Sequence, residues 1–190
     1  MISWALKEWA IAVDALLSGD LILLVRKGGI REVRQSFELP SNRFLLFPTY
    51  EHQKLEALRP PYGAQLMPQA VPKVGDPVAI GGWAQITHQL LLQGSSLVDD
   101  LSPFHIWADS WLTERLAWKP ERPAYGLMLR VHRFSNPVAI PYDNRYGGCR
   151  SWVSMDFPES LPTSTPVLPI ATYEALAERI QAAVPLSTRV

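Results

Sequence analysis

The chain has a single cysteine, Cys149, and four histidines among 190 residues, and no run near the ~20 apolar residues that span a bilayer. A lone thiol cannot close an internal disulfide and fits a reducing compartment, so a cytoplasmic protein is expected. Lys7 and Glu8 follow directly on Met1 to Leu6, which leaves no apolar core for a signal peptide. Net charge is also lacking, since 18 Lys and Arg balance 18 Asp and Glu. No global field draws the chain to nucleic acid or to an acidic membrane, and any such binding needs a local patch.

Metal chemistry finds no pattern either. There is no Cys-x-x-Cys and no His-Glu-x-x-His, and His52, His88, His105 and His132 stand far apart. Asp99 and Asp100 form an isolated acidic pair. Neither a metal nor a cofactor is expected. A restriction-type nuclease would hold magnesium with an acidic residue and a Glu-x-Lys element on adjoining strands, and no Glu-x-Lys or Asp-x-Lys occurs. Any role in restriction is therefore not that of the cutting subunit.

What is present suits a folded chain. With 47% hydrophobic and 19% charged residues, the composition lies well away from disorder. One domain over residues 1–190 is expected, long enough to remove roughly 70% of its unfolded surface from water. The Pro- and Gly-rich segment from Pro60 to Pro77 divides it into subregions 1–60 and 75–190. A second Pro-rich passage runs from Pro158 to Pro169.

Residues 21–53 are the densest combination of apolar strands and polar clusters. Trp9, Ile11, Val13, Ala15 and Leu17 alternate as in a half-buried strand, and Ser18-Gly19-Asp20 reads as a hairpin turn into Leu21–Val25. Leu6, Trp9, Val13 and Leu17 fit one helical face as well, with the hairpin preferred. A strand over Phe44–Phe47 is expected to stop at Pro48, with Thr49 capping a short helix from Tyr50 to Leu58. Val78 to Leu92, interrupted by Gly81-Gly82, predicts a bent or bulged strand. A helix follows from Asp109 or Ser110 to about Trp118, with Trp111, Leu112, Arg115 and Leu116 on its inner face. Leu127, Leu129 and Val131 predict a strand with one buried face and Met128, Arg130 and His132 on a polar one. Pro137, Pro141, Tyr142 and Tyr146 surround a turn before a short strand through Val153, and Thr172 caps a C-terminal amphipathic helix carrying Leu176, Ile180, Ala183 and Val184. The fold class is α+β: a mainly antiparallel sheet or open barrel with short helices and a C-terminal amphipathic helix.

The stretches Leu24-Val25-Arg26-Lys27-Gly28-Gly29-Ile30-Arg31-Glu32, Phe44 to Gln53, Trp107 to Trp118 and Tyr146 to Trp152 together resemble the domain of unknown function 1802 family, found largely in cyanobacteria. The likeness runs in order through nearly the whole chain. It brings no activity with it. For some members it implies partnership with a restriction-endonuclease-like domain, hence an accessory role near DNA restriction or modification. The second half also resembles PUA-like modules, which bind modified bases.

Four clusters are candidates for chemistry. Tyr50-Glu51-His52 places a carboxylate beside an imidazole, which suits acid–base work or ligand anchoring, and equally a solvated helix start. Lys27-Gly28-Gly29-Ile30-Arg31 offers an anion-binding nest, or simply a tight turn. Its strand-then-Gly-Gly layout superficially resembles Nudix hydrolases, whose glutamate-rich helix is missing. Cys149 beside Arg150 is either an activated thiol or a structural one. Arg130, His132, Arg133, Arg145 and Arg150 interleave with Trp107, Trp111, Trp118, Tyr142, Tyr146 and Trp152, a mixture that serves phosphate contact with base stacking, or a core. The expected function is a non-catalytic nucleic-acid-binding or accessory module, with Lys27, Arg31, Tyr50, Glu51, His52, Arg130, His132, Arg150 and Trp152 as its binding residues. The expected partner is nucleic acid or a restriction-type endonuclease. Alternatives are a small hydrolase using Glu51 and His52, with Cys149 as a further candidate group, or a structural interaction protein in a cyanobacterial assembly.

Overall fold

The structure, a computed structural model, describes residues 2–27, 31–33, 36–38, 40–67, 69–92, 97–119, 123–148, 150–158 and 160–184, the side chains of 31–33 and 36–38 excepted. In chain order the elements are β1 (Trp4–Trp9), α1 (Ala10–Ser18), β2 (Leu23–Arg26), β3 (Arg31–Val33), β4 (Ser36–Glu38) and β5 (Arg43–Thr49). There follow α2 (Pro60–Gly63), β6 (Pro77–Leu92), α3 (Leu97–Leu101), α4 (Asp109–Ala117), β7 (Ala124–Pro141), β8 (Trp152–Ser154), β9 (Ser164–Pro166) and α5 (Ile170–Ala183). Seven strands make one sheet in the order β2-β7-β6-β5-β1-β8, with β9 added to β7, while β3 and β4 pair apart. Pairing is antiparallel except between β1 and β5. The fold is thus α+β with a mostly antiparallel open sheet. Both expected subregions feed it.

The long strands β6 and β7 carry the sheet's bend. Their register shifts between Ile80 and Gly82 and between Ile86 and His88, as a bulged strand demands. Gly82 is required there: a Cβ would lie 2.3 Å from the His132 carbonyl oxygen and 2.8 Å from Leu17. The residues opposite this first break include Pro137, so Pro137 and Pro141 belong to the far end of β7, and the expected turn follows them through a 3₁₀ turn over Asn144–Tyr146 that leads to β8. The bend folds the sheet back on itself. Edge strand β2 and strand β1, four places apart in the order, meet through an ion pair between Arg26 and Glu8 at 2.5 Å.

The concave side is filled by α1, and here the expected hairpin is corrected. Residues 10–18 are helical, and Ile11, Ala12, Val13, Ala15 and Leu16 join Leu6, Leu24, Leu46, Ala84, Leu127, Leu129 and Val131 in one apolar cluster. A helix apolar nearly all round is a buried helix, which is why its pattern also satisfied a strand's period. Gly19 is its left-handed C-terminal cap at φ 87°, with its N–H on the Leu16 carbonyl, and not a hairpin turn.

Further expectations change. β5 runs through Pro48 to Thr49, because beyond Leu45 it has no β6 partner and the missing proline N–H leaves no ladder bond unmade on that side. The helix from Tyr50 to Leu58 is replaced by a bend at His52, φ 60°, and a 3₁₀ turn over Leu55–Ala57. Helix α5 starts at Ile170 behind Pro169, so Thr172 lies in its first turn, and α4 starts behind Ala108 with no side-chain cap. α5 buries Tyr173, Ala177 and Ile180 against Met128, which removes Met128 from the polar face of β7. Among the described residues no helix is long and apolar enough to cross a membrane. The turn expected at Gly28-Gly29 and the Cys149 thiol lie outside the described residues.

Candidate functional site

Where β1 and β2 face each other the sheet stays open, and a cleft of about 300 Å³ occupies the gap. Five separate stretches build it. One wall is aromatic. The segment before α4 is held extended by an antiparallel bridge between Leu58 and Trp107, with Arg59 N–H on the Ile106 carbonyl (3.0 Å) and Ala108 N–H on the Ala57 carbonyl (2.9 Å). The Arg59 guanidinium locks it further by donating to Ser102 and, at 3.0 Å, to Asp109. This fixes Trp107 against Trp111, stacked at 4.4 Å, while Trp9 from the end of β1 meets Trp107 edge-on at 5.1 Å. One turn of α4 places Arg115 on the same face as Trp111, with its guanidinium 5.3 Å from the indole centre.

The other wall is polar. Buried Lys7 donates from Nζ to the carbonyls of Tyr146 (2.6 Å) and Gly148 (2.9 Å) and lies 3.9 Å from a Glu51 oxygen. Its backbone N–H bonds the Ser151 carbonyl at 2.8 Å, so β1 pins the turn that carries Arg150 into the cleft. Thr49 Oγ1 accepts from Glu51 N–H at 3.3 Å, and the positive-φ bend at His52 then turns the chain at the rim.

Charge in this cleft does not balance. Arg26 is neutralised by Glu8, yet Arg115 lies within the field of both, and burial, then Arg26, pull its guanidinium pKa down against the opposing effect of Glu8. Arg115 Nε and Trp107 Nε1 are buried donors with no acceptor among the described residues. Among the described residues, the lining cations Lys7, Arg26, Arg115 and Arg150 face two carboxylates, Glu8 and Glu51. Such a surface calls for an acceptor-rich, anionic, planar guest.

The model of the family described as "Domain of unknown function (DUF1802)" matches residues 5–179, a span that contains both walls. The chain belongs to the DUF1802 family. No curated protein matches it. The DUF1802 fold is similar to crystal structures of ASCH proteins from Zymomonas mobilis. A ZmASCH mutant protein shares 13% identity over 80% of this chain and 88% of that chain, with a TM-score of 0.46. ASCH from the same organism shares 15% identity over 92% of this chain and 93% of that chain, with a TM-score of 0.44.

This DUF1802 domain brings together only part of the binding set read from sequence. Glu51, His52 and Arg150 line the cleft. Tyr50 sits beside it, half-buried, its hydroxyl pKa raised by burial and by Asp14 of α1. Lys27 is buried and donates to the Leu116 carbonyl, capping the end of α4. Trp152 packs edge-on against Phe44 at 4.9 Å in the interior cluster. Arg31 lies on β3, its side chain outside the description. Arg130 and His132 lie elsewhere, on the outer sheet face, where His132 stacks on Trp83 at 4.0 Å and Arg130 covers Tyr173 at 5.1 Å. Lys7, Glu8, Trp9, Arg26 and Arg115 belonged to no expected binding set. One signal was legible: a cation, Arg115, on the otherwise apolar face of Trp111, Leu112 and Leu116.

Proposed function

We propose that this DUF1802 domain is a non-catalytic nucleic-acid-binding module whose cleft takes one unpaired nucleotide. The observation that carries the reading is the meeting of a three-tryptophan wall with cations left over after internal pairing. Indole faces stack any base, and arginines supply the phosphate contacts. The volume is at the small end of ligand sites, ~300–1,000 Å³, which suits one nucleotide and excludes a duplex. Of the residues read from sequence, Glu51, His52 and Arg150 supply its polar rim, while Arg130 and His132 form a separate patch. The module works beside a restriction-type endonuclease as an accessory, a reading supported by the family resemblance and by the lack of any Glu-x-Lys or Asp-x-Lys.

Binding of labelled single-stranded and duplex DNA and RNA, across ~50–200 mM salt, tests the proposal. Salt-sensitive binding to single strands with quenching of tryptophan emission is expected. Absence of binding to every strand would end it. Co-purification with an endonuclease from native lysate tests the accessory role separately.

A further inference from the structure

The cleft's charge surplus is specific enough to say which nucleotide it takes, on the reading that the domain binds nucleic acid. Among the described residues its charged lining is Lys7, Arg26, Arg115 and Arg150 against Glu8 and Glu51, two positive charges in excess. An internal phosphodiester carries one negative charge. A terminal phosphomonoester carries ~1.5–2 near pH 7, with three strong acceptor oxygens.

The placement of the surplus fits the second. Lys7 and Arg26 are committed, one to two carbonyls and Glu51, the other to Glu8. Arg115 and Arg150 make no ion pair among the described residues, and they come from different elements, α4 and the turn before β8. The unpartnered buried atoms of the lining, Arg115 Nε and Trp107 Nε1, are both donors. We propose that the cleft receives the end of a nucleic-acid strand, holding its terminal phosphomonoester with Arg115 and Arg150 and the adjoining base against the tryptophans.

The test compares single-stranded oligonucleotides of one sequence, internally labelled, carrying a 5′-phosphate, a 3′-phosphate or hydroxyls at both ends, by fluorescence anisotropy. One phosphorylated form should bind about tenfold or more tightly than the hydroxyl form, as added charge-assisted hydrogen bonds allow. The arm that gains identifies the end. Arg150→Gln, on an exposed turn, should lose most of the preference, and Arg115→Gln with Arg150→Gln all of it. Equal binding of all three forms, or a preference intact in Arg150→Gln, overturns the strand-end proposal while nucleic-acid binding stands. No binding of any form overturns nucleic-acid binding itself, and the strand-end proposal with it.

Discussion

Arginine meets aromatic rings in two parts of this domain, the cleft and the outer face of the sheet, and the two differ in what uses the pairing. On the outer face Arg43 lies 5.6 Å from Trp83 and donates to Gln85, His132 stacks on the same indole with its ring tilted by only 9°, and Trp83 Nε1–H bonds Ser164. Burial, then the charges of Arg130 and Arg43, lower the His132 pKa. Protein groups therefore satisfy most of that patch, and Arg130 Nη1 is its one unpartnered buried atom among the described residues. In the cleft two such donors and an excess of cations surround about 300 Å³. Composition cannot separate these places. Unused bonding capacity around a volume does.

The largest effect expected to separate them is on stability. His105, on the strap that carries Trp107, is 4% exposed, and its pKa is lowered to about 4, chiefly by burial and then by Arg59. Its folded pKa lies below the unfolded value near 6.5, so the contribution is intact above about pH 6.5 and is lost as pH falls toward about 4, up to about 3 kcal/mol. His105→Gln should flatten the denaturant midpoint over that window, and an unchanged pH profile would show that the aromatic wall does not rest on a neutral imidazole. Next in size, Arg115→Gln with Arg150→Gln should weaken single-strand binding about 100-fold at low salt and make the salt slope shallower by roughly 1.4. Arg43→Gln with Arg130→Gln should stay within about threefold. Equal losses in the two pairs would break the distinction.

Smaller effects sharpen it. Trp111→Ala should cost roughly 1–3 kcal/mol of binding, the worth of one stacked base, in a protein whose circular dichroism is retained. On adding an oligonucleotide, the indole N–H resonance of Trp107, unpartnered in the cleft wall, should move in ¹H–¹⁵N spectra, whereas that of Trp83, bonded to Ser164, should hold still. Movement of Trp83 alone would transfer the binding site to the outer face.

Much of the fold was legible in the sequence where one period ruled. β6 with its glycine bulge, β7, α4 and the docked face of α5 all follow from apolar spacing interrupted at identifiable residues. Where two periods coincide, as in residues 9–17, spacing alone does not decide, and the deciding cues are the alanines Ala10, Ala12 and Ala15 and the cap at Gly19. The site was less legible. Glu51, His52 and Arg150 were read as candidates because they sit in polar clusters next to glycine or proline breaks. Lys7, Trp9, Arg26 and Arg115 were not, since each is a single residue within an apolar or mixed segment, and only their convergence makes them a site.

By itself the sequence determined the α+β class, the bend at Gly81-Gly82 and the family, because these rest on local sterics and on the spacing of apolar side chains. Only the tertiary structure decided which cations are spent and which are left over. Glu8 neutralises Arg26 because a bent sheet brings β1 to β2, Lys7 is taken up by carbonyls more than a hundred residues away, and Arg115 is left beside Trp111. Charge balance is a property of distance, and distances of that kind are set by the fold.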